Sequence, residues 1–93
     1  MDHVLRLYIA GASATARRAE KQLAELRARV EPDLKIDVID VQERPELAEA
    51  AGILATPTLV YDHPERPRRI VGDLGDTQRV LEFLGVEPKG KSA

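Results

Sequence analysis

The bond that most restricts this chain joins Thr56 to Pro57, directly ahead of the β-branched, apolar run Thr58-Leu59-Val60. Proline has no N–H to give to a sheet and fixes its own φ, so it can stand at the entrance of a strand but not inside a central one. An X-Pro bond is also the one peptide bond for which cis geometry costs little, and a cis bond here would turn the backbone of Thr56 outward beside the strand. The stretch from Ile53 to Val60 therefore predicts a tight loop that exposes main chain and then enters a sheet.

The elements around that loop follow from periodicity and punctuation. Val4 to Ala10 is an apolar run with one interruption, ended by Gly11, and predicts a first strand buried on both faces. Ser13 or Thr15 can cap the next helix, in which Ala16, Ala19, Leu23, Leu26 and Val30 recur at steps of three and four. Arg17, Arg18, Lys21, Glu25, Arg27 and Arg29 fill its other positions, as expected of a solvated face with pairs such as Lys21 and Glu25. Glu31-Pro32-Asp33 breaks the helix, and Leu34 to Val41 returns as a strand with Leu34, Ile36 and Val38 on one side. Strand, helix, strand in this span is a right-handed βαβ unit with parallel strands. Pro45 suits the first position of a short second helix, and Gly52 its left-handed stop. Thr58 to Tyr61 is a third strand, Asp62 to Pro67 a turn-rich loop, and Arg68 to Gly72 an antiparallel return. Asp76 or Thr77 caps a last helix with Val80, Leu81 and Leu84 inward, and Gly85 ends it. The order β-α-β-α-β-β-α, a mixed sheet flanked by helices, is that of a minimal thioredoxin-like α/β fold, in which the bond before such a proline is usually cis. One domain over residues 1–93 is expected, with a frayed polar tail over 86–93.

Chemistry is narrowed mainly by what the side chains lack. Without cysteine there is no disulfide and no thiolate nucleophile. The place where a redox thioredoxin carries its thiol holds Gly11-Ala12-Ser13-Ala14-Thr15-Ala16, and Ser13 has no neighbour in sequence to act as its base, so it reads as a helix cap. His3 and His63 stand far apart without carboxylates at metal-ligand spacing, and Gly72 and Gly75 match no phosphate loop. No metal, no cofactor and no catalysis are expected. The 14 basic and 16 acidic residues, with three aromatics, point away from nucleic acid. No apolar run approaches the roughly 20 residues that span a bilayer, and no signal peptide is read at Met1-Asp2-His3, so a cytoplasmic location is expected.

Binding is left. Arg66, Arg68 and Arg69 crowd one hairpin, suited to forked pairing with a partner's carboxylates or simply solvated. Asp73 and Asp76 either face a partner or cap the last helix. Pro57 shapes its loop, while the main chain of Thr56 can template a partner strand. Gly72-Asp73 and Gly75-Asp76 are two helix-start signals side by side, which makes a bistable junction or an ordinary glycine-rich loop.

Leu7-Tyr8-Ile9-Ala10-Gly11, Val38-Ile39-Asp40-Val41, Pro45-Glu46-Leu47-Ala48-Glu49, Ile53-Leu54-Ala55-Thr56-Pro57-Thr58-Leu59 and Ile70-Val71-Gly72-Asp73-Leu74 together resemble the circadian-clock KaiB family, from about Val4 to about Leu84. The resemblance implies a non-enzymatic regulator that binds the KaiC ATPase, competes there with a histidine-kinase sensor domain and helps sequester KaiA. It also implies two folds, an oligomeric ground state and a monomeric, binding-competent thioredoxin-like state, with the half from about Ile53 onward rearranging. The strand-hairpin-helix pattern of that half favours the thioredoxin-like state. This chain lacks the long acidic tail frequent in clock members, and its loop from Asp62 to Arg68 differs from theirs. A stand-alone adaptor for a histidine kinase or a stress-response partner is the alternative. A glutathione-dependent enzyme using Ser13 is a remote one, since it needs a thiol or a helical second domain.

Overall fold

A computed structural model describes residues 4–30, 34–63, 65, 67–72 and 74–85. The elements are β1 (Val4–Ile9), α1 (Ala14–Arg27), β2 (Lys35–Asp40), α2 (Pro45–Ala51), β3 (Thr58–Asp62), β4 (Arg68–Val71) and α3 (Thr77–Leu84). They form one four-stranded sheet in the order β2-β1-β3-β4, with β1 parallel to β2 and antiparallel to β3, and β3 antiparallel to β4. The expected order of elements and the mixed sheet are what the structure shows.

Alternation along the central strand sorts the layers. Leu5, Leu7 and Ile9 of β1 join Leu59 and Tyr61 of β3 on one face, where Ala16, Ala19, Leu23 and Leu26 of α1 and Val80, Leu81 and Leu84 of α3 cover them. Each fully buried leucine there contributes roughly 1.5–3 kcal/mol relative to exposure, and Leu5, Leu7, Leu26, Leu59 and Leu84 are all in that class. Val4 and Tyr8 are buried on the opposite face, so β1 is enclosed on both sides as expected. On that face α2 lies over the sheet, with Leu47, Ala50 and Ala51 bordering a cavity of about 510 Å³ that Arg6 and Tyr8 also line.

The caps explain where the helices begin and end. Ser13 Oγ accepts from Ala16 N (3.1 Å) at the start of α1, so Ser13 and not Thr15 is the cap. Pro45 opens α2, and Gly52 closes it in the left-handed region (φ 68°) with its N–H turned back to Glu49 O. Asp76 Oδ1 accepts from Arg79 N (3.1 Å) to start α3, and Gly85 ends it at φ 76°. One expectation changes. Helix α1 stops at Arg27, where the tighter bonds Arg29 N to Leu26 O and Val30 N to Arg27 O take over, so Val30 belongs to the core without belonging to the helix. Val38 shares its side of β2 with Leu34 and Ile36, which pack on the core, yet it is 46% exposed because β2 is an edge strand. The expected break at Glu31-Pro32-Asp33 and the tail lie outside the described residues.

Candidate functional site

The parallel pair sends its two following helices to opposite faces: α1 leaves β1 toward the large core, α2 leaves β2 toward the other side. Such a divergence opens a crevice beyond the carboxyl ends of the strands, where α/β folds bind their ligands. One carboxylate organises this crevice. Asp40 Oδ1 accepts from Gly11 N (3.0 Å) and Gln42 N (2.9 Å), which fastens the exit of β1 to the exit of β2. These backbone donors, Gly11 first, hold the Asp40 carboxyl below the usual carboxylate range. Gly11 suits this point because its φ is 64°; a Cβ there would meet only the movable end of the exposed Gln42 side chain, 2.7 Å away.

The loop read from the sequence completes the same end of the sheet. The Thr56–Pro57 bond is cis. Pro57 is buried, and its carbonyl accepts from Gly72 N (2.9 Å), so the entrance of β3 and the exit of β4 meet there. Gly72 adopts φ 103°, a conformation side chains resist. Thr58 Oγ1 donates to Ala55 O (2.6 Å), closing the loop on itself, and Ile53 N donates to Ala48 O (2.9 Å), fastening its start to α2. Between this loop and α2 lies a cavity of about 530 Å³, bordered by Val41, Pro45, Ala48, Ile53, Leu54 and Thr56. Leu54 stands 99% exposed at its rim.

The structure brings Thr56, Pro57 and Gly72 together, and it places Arg69 and Asp76 along a separate groove between β4 and α3. Arg69 reaches the carboxyl end of α2, donating to Ala51 O (3.0 Å) and Gly52 O (3.3 Å), where a cation satisfies carbonyls that the helix leaves open. Arg68 projects to the other face of β4, exposed, with no carboxylate partner among the described residues. Asp76 is the α3 cap, and α3 starts from the Gly75-Asp76 signal. Arg66 and Asp73 lie outside the described residues. Ser13 Oγ is engaged with its helix, and among the described residues no cluster of His, Asp or Glu could hold a metal. His63 Nδ1 accepts from Glu65 N (3.0 Å), and the ring lies edge-on to Tyr61. Sequence reasoning passed over three exposed apolar side chains: Leu54, Val71 at 61% and Phe83 at 56%. The signal for Leu54 is its place between a helix-stopping glycine and the Thr-Pro loop, where no periodicity assigns it a buried side.

A thioredoxin-like scaffold whose cis-proline loop is intact and whose chain carries no thiol is the class this geometry defines. Solved structures agree on the fold: mitochondrial thioredoxin 3 of Saccharomyces cerevisiae superposes with a TM-score of 0.72 at 20% identity, covering 90% of this chain and 77% of that one. Fasciola hepatica thioredoxin does so with a TM-score of 0.72 at 18% identity, covering 90% and 79%. The chain belongs to the KaiB family, whose domain matches residues 6–86. Circadian clock protein KaiB3 of Synechocystis is 38% identical over 91 residues, 94% of this chain and 86% of the relative. Circadian clock oscillator protein KaiB of Prochlorococcus marinus strain MIT 9313 is 46% identical over 83 residues, 85% of this chain and 67% of the relative.

Proposed function

We propose that the protein is a KaiB-like clock regulator that, in the thioredoxin-like form described above, docks on a KaiC-type ATPase and changes which other proteins can bind there, KaiA or a kinase sensor domain among them. The observation that carries this reading is Leu54, wholly exposed beside the cis Thr56–Pro57 loop, at the position where a thioredoxin presents its backbone to a partner but with no thiol to react. An apolar knob over a cavity, next to extended main chain, is a protein-docking arrangement. Thr56 supplies main chain and Leu54 supplies desolvated area, while Pro57 and Gly72 hold the loop in shape.

Membership of the family adds a second element to the proposal. The half from Ile53 onward is the part that rearranges into an oligomeric resting fold, and the helix start at Gly75-Asp76 competes with one at Gly72-Asp73 when it does. The test is co-elution with a recombinant KaiC-type ATPase in the presence of ATP. The expected result is a stable complex that Leu54→Glu weakens by at least about tenfold while the variant stays folded. No complex with the unaltered protein, or a complex indifferent to Leu54→Glu, overturns the reading.

A further inference from the structure

At the opposite border of the C-terminal half, no described element covers the last strand. Strand β4 ends the sheet. The bond from Gly72 N to Pro57 O fixes the alternation of the β3–β4 ladder: Ile70 and Arg68 face β3 with their backbone groups, and Arg69 and Val71 turn theirs outward. Beside this free edge runs a groove of about 470 Å³ toward α3, with Ile70, Val71, Val80 and Phe83 along it and Arg79 and Asp76 at its border. Val71 and Phe83 are more than half exposed.

The charges around the groove are lopsided. Arg68 and Arg79 are exposed, and neither guanidinium has an ion-pair partner among the described residues. Among the described residues that line the groove, Asp76 is the one acid, and its carboxylate is already accepting from Arg79 N. Cationic side chains alone would be the ordinary protection of an edge strand against self-pairing. Protection does not call for an apolar groove with an exposed phenylalanine beside the same edge. We propose that the β4 edge and the α3 groove form a second docking surface, which takes an extended acidic segment of a partner protein as a fifth strand, its backbone on Arg69 and Val71, its apolar side chains on Phe83 and its carboxylates on Arg68 and Arg79. A second copy of the chain is the poorer occupant. Two β4 edges would bring their arginines together, and β4 on the β2 edge of another copy would propagate without closing.

The groove shares no lining residue with the cavity beside Leu54, so it is tested without the ATPase. The probe is a blocked octapeptide with a valine-threonine-valine-threonine core and two glutamates at each end, titrated into the labelled protein and followed by backbone amide shifts. Saturable shifts are expected at Arg69, Val71 and along α3, and they weaken as salt rises. Val71→Pro removes one outward N–H without touching the ladder to β3, and it should weaken binding by roughly fivefold or more. Arg68→Glu with Arg79→Glu should abolish it, both variants keeping dispersed spectra. The same peptide with lysines for glutamates should not bind. Absence of saturable shifts, shifts centred on β2 or Leu54, equal binding of the lysine peptide, or concentration-dependent polymers in place of a one-to-one complex overturn the proposal.

Discussion

The two halves of the molecule are built to different standards of attachment. In the N-terminal half, β1 and β2 pair over six residues each, α1 lays four buried side chains on the sheet, and the Asp40 carboxylate fastens both strand exits. In the C-terminal half, β4 has four residues, of which Arg68, Arg69 and Val71 are exposed, and α3 has eight. Among the described residues, that half joins the first through the β1–β3 ladder, the apolar contacts of α3, the bond from Ile53 N to Ala48 O, and side-chain links of which three stand out. These are Arg6 with Asp62 (2.9 Å), Arg69 with the end of α2, and Gln22 Oε1 accepting from the buried Leu74's N–H (3.0 Å). The lesson is that one half can carry the fold while the other hangs on few, nameable interactions. This is the distribution expected where a segment opens below the global unfolding free energy.

The comparison can be broken most severely at the shared centre. Leu7→Ala empties a fully buried site in the strand that both halves pair with, and should cost about 2–5 kcal/mol, lowering the melting temperature of the whole molecule with no selective loss in either half. Gln22→Ala sharpens it. The variant leaves the Leu74 N–H without its acceptor at a cost of about 1–2 kcal/mol, and amide hydrogen exchange should accelerate in β4 and α3 more than in β1 and β2. If exchange rises evenly across the sheet, the two halves are not independently attached.

The smallest effect belongs to the N-terminal clamp and appears only in acid. The Asp40 carboxyl is held below the ordinary value by the N–H groups of Gly11 and Gln42. Its contribution is therefore complete above the unfolded-state pKa of about 3.9 and is lost as pH falls through the lower folded value. Denaturant midpoints measured from neutral pH downward should decline at that step, and Asp40→Asn should flatten it. An unchanged acid limb would mean that other carboxylates govern it.

Much of the fold was legible because its signals are local. Ser13, Pro45, Gly52, Asp76 and Gly85 each mark a helix end by their own chemistry, and the Thr56–Pro57 pair marks the entrance of β3. What was not legible depends on which element lands beside which. Arg69 reads as a surface cation until α2 is known to end beneath it, and how far Val38 is covered is not settled until β2 is known to be an edge. For the site, the loop was visible in the letters and its apolar knob was not, since an isolated leucine in a loop carries no period.

The Asp40 clamp has a consequence for recognition as well as for the fold. The turns after β1 and β2 stand at the same end of the sheet as the loop proposed to dock, and stiffening loops on binding costs affinity. With one carboxylate already binding both turns in the free protein, that stiffening has happened in advance. A partner arriving at this end of the sheet would lose its own freedom of motion and little of its host's, so association there should be governed by the fit around Leu54 and not by the ordering of loops.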